Sequence, residues 1–258
     1  MGLFTDLKTI YYMARSGAKG DTHAQRLDNF YSGQASGYDD FRKRLLKGRQ
    51  ELWSAMADPS VGGGAPEGGV WVDFGGGTGS NLEWFTDEDR KKLAKIYVVD
   101  LASSLLKVCN QRIADKFTDA DGKTNCQTAE ADATIWTPEE GYADVVTFSY
   151  SLTMIPDWFL ALENALRILK PGGTIGIVDF FVSRKWPAEG LKRHSWFTRS
   201  FWPVWFNTDN VYPSPDHVPY LMSHFNTVDF HDYYGKVPYF PIFRMPYYTY
   251  IGRKPEAE

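Results

Sequence analysis

Cysteine occurs only twice in the 258 residues, at Cys109 and Cys126, with no Cys-x-x-Cys and no histidine cluster at ligand spacing. A disulfide scaffold and a zinc finger are thereby excluded, and the chain suits a reducing compartment. Basic residues are in the minority, 28 Lys and Arg against 32 Asp and Glu for a net charge of −4. The concentrated positive field that nucleic-acid binding needs is therefore missing. No apolar stretch approaches the about 18 residues that span a bilayer; Val145–Pro156 comes nearest and is interrupted by Thr, Ser and Tyr. The N-terminus carries Asp6, Lys8, Arg15 and Lys19 without an apolar core, which speaks against a secretory signal. Asp6 stands where a myristoylation pattern after Met1-Gly2 wants Ser or Thr. Against these absences stand 43% hydrophobic residues, enough for a sizeable core and too many for global disorder. The length fits one α/β domain with appendages better than two independent domains.

Three zones divide that single domain, residues 1–258. In 1–59, Phe41, Leu45, Leu46, Leu52, Trp53 and Met56 recur near a 3.6 period, which predicts a helical cap ended by the Gly/Pro-rich connector Val61–Gly69. In 70–182, the apolar runs Val70–Phe74, Ile96–Val99, Ala143–Ser149 and Thr174–Phe181 alternate with helix-length segments. One of these, striped by Trp158, Leu162, Ala165, Leu166 and Leu169, is stopped by Pro171-Gly172-Gly173. Strands separated by helices predict parallel pairing through right-handed crossovers. In 183–258 the rhythm breaks. Trp186, Trp196, Trp202 and Trp205 gather four of the nine tryptophans, and the runs Thr227–Tyr233 and Tyr247–Arg253 close the chain as two strands added at the sheet edge.

Val72–Ser80 (VDFGGGTGS) is the strongest signal. A strand ending in Asp73 breaks into Gly75, Gly76, Gly77 and Gly79 before a helix near Ser80, at the carboxyl edge where open α/β sheets bind nucleotides. The dinucleotide pattern G-x-G-x-x-G fails because its last position falls on Ser80, and Gly122-Lys123-Thr124 lacks the upstream glycine of a P-loop. Acid-x-Gly-x-Gly-x-Gly resembles instead the first motif of S-adenosylmethionine-dependent methyltransferases of the doubly wound class. That resemblance implies a mostly parallel seven-stranded α/β sheet with one antiparallel edge strand, S-adenosyl-L-methionine as cofactor, and no metal. It implies that Asp100, ending the next strand, accepts the ribose hydroxyls, that Leu101 packs on the adenine, and that the turn containing Asp132 and Ala133 meets its amino group. Ser149-Tyr150-Ser151 falls at the substrate-facing motif, so Ser149 joins the cofactor set.

Outside the core, Asp21–Tyr38, Phe148–Trp158 and His217–Gly252 resemble the methyltransferase module of betaine lipid synthase. That module methylates the amine of diacylglyceryl homoserine three times. The resemblance implies this lipid as substrate, an aminocarboxypropyltransferase module as partner in the same pathway or chain, and a cytoplasmic location peripheral to a membrane, the endoplasmic reticulum in a eukaryote. No such second module is expected within these 258 residues, which leaves an excised half of a two-module enzyme or a stand-alone enzyme that needs a partner. A trimethylated product is a permanent cation that suits aromatic faces, so Tyr31, Tyr38 and Tyr150 are candidate catalytic residues. His217 is a candidate proton acceptor beside His23. Arg26, Arg184, Arg193 and Arg244 are candidate forks for the substrate carboxylate. Ser195–Phe206 (SWFTRSFWPVWF) suits a bilayer boundary, a lid or a partner contact. A methyltransferase for another acceptor, phosphatidylethanolamine or a quinone precursor, and a non-catalytic cofactor-fold subunit are the alternatives.

Overall fold

β-Branched and aromatic runs make the strands, and each strand length is set by the polar or glycine residues that end it. In the computed structural model the described residues are 21, 22, 25, 28, 44–58, 60–207, 210–237 and 240–256. The strands are β1 (Gly69–Phe74), β2 (Leu93–Asp100), β3 (Cys126–Glu130), β4 (Ala143–Ser149), β5 (Leu169–Phe180), β6 (Asn226–Val237) and β7 (Phe240–Arg253). The α-helices are α1 (Arg49–Ala57), α2 (Asp87–Lys92), α3 (Ser103–Lys116), α4 (Trp158–Ile168), α5 (Trp196–Asn207) and α6 (His217–His224). All seven strands form one sheet in the order β3-β2-β1-β4-β5-β7-β6. β1 through β5 pair in parallel, whereas β7 runs antiparallel to both β5 and β6.

This is the doubly wound, mostly parallel seven-stranded α/β fold, with one correction. The antiparallel strand is not at the edge. β7 is inserted between β5 and β6, and β6 takes the outer place. The later segment wins the inner position because it has the residues for it: Met245, Tyr248, Tyr250 and Ile251 are buried, while most of β6 is exposed or half-buried. β3 is an element that periodicity did not reveal, since CQTAE is short and mostly half-buried. The helix expected near Ser80 is a 3₁₀ turn, Ser80–Trp84.

β1 is buried along its whole length, and its period of two divides the core. Val70, Val72 and Phe74 face the layer that holds Leu162 and Ala165 of α4, while Trp71 faces α1. There Trp53 stacks on Trp71 at 6.2 Å, and Phe85 closes edge-on at 4.7 Å from Trp71. The sheet thus carries helices on both faces, and the carboxyl ends of β1, β2 and β4 open onto one cleft.

Candidate active site

Where β1 ends, the backbone turns at Gly75 with φ +66°. A Cβ there would lie 2.3 Å from Cβ of Ser151, so only glycine fits under the β4 loop. Gly75 N–H donates to the Val99 carbonyl of β2 at 2.7 Å, which ties the glycine loop to the next strand end. At that strand end, Asp100 Oδ2 accepts from Gly77 N–H (2.9 Å) and Oδ1 from Ala102 N–H (2.8 Å). The carboxylate is fixed by the loop on one side and by the start of α3 on the other. Each oxygen keeps lone-pair capacity toward the cleft, which is what a pair of vicinal hydroxyls requires.

Asp132 holds its own turn: Oδ1 accepts from both the amide and the hydroxyl of Thr134, each at 2.8 Å. Together with Gly75, Gly77, Asp100, Leu101, Ala133 and Tyr150, it lines one open cleft of about 860 Å³, solvent at its mouth included. The turn after β4 adds Ser151 and Met154 to Asp157, and Val99, Leu105, Ala131 and Thr134 complete the lining.

Tyr150 is the strained residue of the site. Its φ of +54° is the left-handed region that a bulky side chain avoids. The surroundings hold it there. Its N–H donates to the Val178 carbonyl at 2.8 Å, its hydroxyl donates to the Lys47 carbonyl at 2.6 Å, and its ring packs on Phe180 at 4.5 Å. Burial pushes the phenol well above its ordinary pKa, so it stays protonated. Tyr150 is a wall of the cleft whose hydroxyl is already engaged, and not a proton donor to a ligand.

Several expected residues lie elsewhere. Asp73 does not line the cleft. It is buried beneath the loop, accepting from Asn81 Nδ2 (3.0 Å) and Thr147 Oγ1 (2.7 Å), and burial raises its pKa to about 6. It shapes the loop and has no surface for a ligand. Gly76 and Gly79 turn away from the cleft, against Val98 and Cys109 respectively. Ser149 ends β4 with its hydroxyl buried and unpartnered among the described residues, and Ser151 takes the lining position.

His217 is also a correction. It opens α6 fully buried, edge-on to Trp158 at 4.7 Å, outside the cleft lining. Desolvation lowers its pKa to about 3, so the ring is neutral and packs as a core aromatic. Arg184 pairs with Asp216 at 2.6 Å, and Arg184, Arg193 and Arg244 are absent from the lining. Tyr31, Tyr38, His23 and Arg26 lie outside the described residues. Asp28 is described, and its carboxylate accepts from Ser104 N–H at 2.9 Å, capping α3 beside the cleft.

Three positioning residues escaped sequence reading. Arg49 is buried and donates to Ser80 Oγ at 3.1 Å; its place in the 49, 52, 53, 56 spacing was the available signal. Asp179, next to last in β5, accepts from Thr153 Oγ1 (2.7 Å) and Thr153 N–H (3.2 Å), and Thr153 in turn accepts Tyr212 N–H at its carbonyl (2.7 Å). An acid inside the apolar run TIGIVDFF was the signal for that pair.

The glycine turn that admits no Cβ, the fixed Asp100 carboxylate and the Asp132 turn, gathered on one cleft, fit S-adenosylmethionine. Among the described residues no group of three His, Cys, Asp or Glu could hold a metal ion, and no helix is long and apolar enough to cross a membrane.

A family model described as a methyltransferase domain matches residues 38–229. The ubiquinone/menaquinone biosynthesis C-methyltransferase UbiE of Shewanella woodyi is 26% identical over 162 residues, 63% of this chain and 62% of that protein. The chain thus spans less than two thirds of the length of the first curated relatives it matches. Among solved structures, the Haemonchus contortus phosphoethanolamine N-methyltransferase 2, in complex with phosphomonomethylethanolamine and S-adenosylhomocysteine, superposes with a TM-score of 0.66 at 14% identity, over 92% of this chain and 61% of that one. The N-methyltransferase NodS of Bradyrhizobium japonicum with S-adenosylhomocysteine gives 0.60 at 13% identity, over 92% and 100%. These structures share the fold, and the family match covers most of the chain. The chain belongs to the methyltransferase-domain family.

Proposed function

We propose that the protein methylates a lipid amine, the amino group of diacylglyceryl homoserine, three times in succession to give diacylglyceryl-N,N,N-trimethylhomoserine. The observation that carries the amine is the sign of the cleft. Its lining holds three carboxylates, Asp100, Asp132 and Asp157, and no lysine or arginine among the described residues. A negative, partly aromatic cleft favours a positively charged donor and a substrate that becomes a cation as it reacts. The flanking stretches 21–38, 148–158 and 217–252 supply the choice of lipid through their resemblance to betaine lipid synthase. The module that transfers the aminocarboxypropyl group is then the partner that makes the substrate.

When bound, S-adenosylmethionine supplies an electrophilic methyl group on a positively charged sulfur. The chain's own part is alignment and environment. Asp100 and the glycine turn would hold the nucleoside end, and Tyr150, Met154, Ile155 and Pro156 would supply the apolar wall of the cleft. The attacking amine must be neutral. For an amine of pKa near 9 this costs about 3 kcal/mol at neutral pH; the carboxylates of the cleft add to that cost and partial desolvation against the wall offsets it. A dedicated base is not required, consistent with the burial of His217 away from the cleft.

Similarity to UbiE favours a second reading, methylation of a ring carbon in a quinone precursor. One assay separates the two. The protein is incubated with S-adenosylmethionine and mixed micelles holding diacylglyceryl homoserine, phosphatidylethanolamine and a demethylated quinone precursor. Mass spectrometry should find one, two and three added methyl groups on the homoserine lipid. Methyl groups on the quinone ring or on phosphatidylethanolamine alone would overturn the acceptor and leave the donor site intact.

A further inference from the structure

α5 is amphipathic in an unusual sense, with aromatic residues on both sides. Thr198, Trp202 and Phe206 are buried. On the opposite side of the helix Trp196 is 74% exposed and Val204 73%, with Phe197 and Trp205 also exposed. Trp186, just upstream, is 70% exposed. A face this apolar and this uncovered marks a docking surface, and its electrostatics say for what. Residues 184–207 hold five basic residues and one acid, Glu189, in a chain of net charge −4. Arg184 is paired with Asp216, which leaves Lys185, Lys192, Arg193 and Arg199 against Glu189. Arg193 lies over the Trp186 ring at 4.9 Å and Lys185 at 5.6 Å, so the cations sit among the exposed rings. Between α5 and the β6–β7 hairpin runs an open groove of about 700 Å³, lined by Phe197, Trp202, Tyr234, Phe243 and Arg244.

We infer that this face docks the protein on an anionic lipid bilayer, with the Trp186, Trp196, Phe197 and Val204 side chains at the headgroup boundary and the cations among lipid phosphates. The inner face of α5 ties this surface to the reaction site. Phe206 stacks on Phe180 at 4.5 Å, and Phe180 packs on Tyr150 at 4.5 Å. A bilayer seated on α5 is thus two ring contacts from the strained wall of the cleft. The inference gives the lipid-amine reading its route of approach and rests on it for that purpose only, because docking itself needs no turnover.

The test is sedimentation of the full chain with vesicles of phosphatidylcholine alone and of phosphatidylcholine with phosphatidylglycerol in equimolar amounts, without methyl donor. Binding should be stronger to the anionic vesicles and weaken with salt. Lys185→Glu with Arg193→Glu should lower affinity for the anionic vesicles by about a hundredfold and leave the neutral ones little changed. Trp186→Ser with Trp196→Ser should lower affinity for both by about tenfold or more. Both variants should bind S-adenosylhomocysteine as the parent does, since the changed side chains are exposed and far from the lining. No binding to anionic vesicles, or binding that neither pair alters, overturns the inference. So does a concentration-dependent dimer that the tryptophan variant abolishes, which would assign the face to a second copy of the chain. Methyl transfer to a quinone precursor with intact vesicle binding would overturn the acceptor and not the surface.

Discussion

The tripeptide Val-Asp-Phe occurs three times, once near the start of β6 (228–230) and twice at the carboxyl end of a parallel strand, as 72–74 in β1 and 178–180 in β5. At both carboxyl ends the aspartate is fully buried and holds a neighbouring loop by hydrogen bonds. Asp73 fixes Asn81, eight residues on, and Thr147 of the adjacent strand β4. Asp179 fixes the turn at Thr153, and through the Thr153 carbonyl the segment at Tyr212. After β1 the chain breaks into glycines and makes the cofactor wall. After β5 it continues into Phe181 and Val182, and the wall it supports is built by distant parts of the chain. One local device therefore serves two walls with different chemistry: the cofactor wall is held by backbone N–H groups that bond to the neighbouring strand end, the acceptor wall by ring packing and by side-chain bonds between remote residues.

Buried carboxylates give the sharpest way to test that equivalence. Burial raises the pKa of Asp179 from 3.8 to about 7 and that of Asp73 to about 6. Each favours the folded state fully below the unfolded value of 3.8, and that contribution is lost as pH rises through the folded value. Asp179→Asn cannot ionise, so its stability relative to the parent should rise by about 4 kcal/mol between acid and mildly alkaline pH. Asp73→Asn should follow with about 3 kcal/mol, over a window about one unit lower. Denaturant melts at several pH values measure both, and flat differences would mean that the two acids are not the paired devices described above.

Next in size is Asp100→Ala. In the proposed role Asp100 accepts both ribose hydroxyls, and its loss should weaken S-adenosylhomocysteine by about a hundredfold or more in calorimetry. A change of less than about tenfold would remove Asp100 from the cofactor wall. Tyr150→Phe deletes the bond to the Lys47 carbonyl and should cost about 1–2 kcal/mol of stability. It should lower turnover more than it weakens the cofactor, because it loosens the acceptor wall; equal loss of both would erase the distinction between walls. Smallest is Asp132→Ala, with a cofactor affinity reduced by about fivefold, the loss of one hydrogen bond at the solvent-facing turn.

The same contrast explains what could be read in advance. Gly75, Gly77 and Asp100 announce themselves because glycines at tight turns and an acid at a strand end are local requirements, visible in eight or nine letters of sequence. Asp73 was visible too, yet whether an acid at that spot faces a ligand or the core depends on Asn81 and Thr147, and the latter is 74 residues away. His217 looked reactive as a lone histidine. Its neutrality follows from Trp158 and Tyr248 closing around it, which no local pattern encodes. Tyr150 was legible as a site residue, but its engaged hydroxyl depends on Lys47, 103 residues earlier. The order of the last two strands escaped for the same reason. Both runs looked like strands, and only the burial of Tyr248 and Tyr250 against β5 decides which one lies inside.

That inner position of β7 has a consequence for how the molecule assembles. β6 pairs with β7 alone, so it has no partner in the sheet when it is synthesised, and the open side of β5 waits as an unpaired edge until β7 arrives. Pairing with β7 closes that edge, and Lys254, whose N–H and Nζ donate to the Gly173 and Leu169 carbonyls, fastens it. Until then, a strand rich in Ile and Val stands exposed beside a tryptophan-rich helix, the two features most prone to stick to other chains.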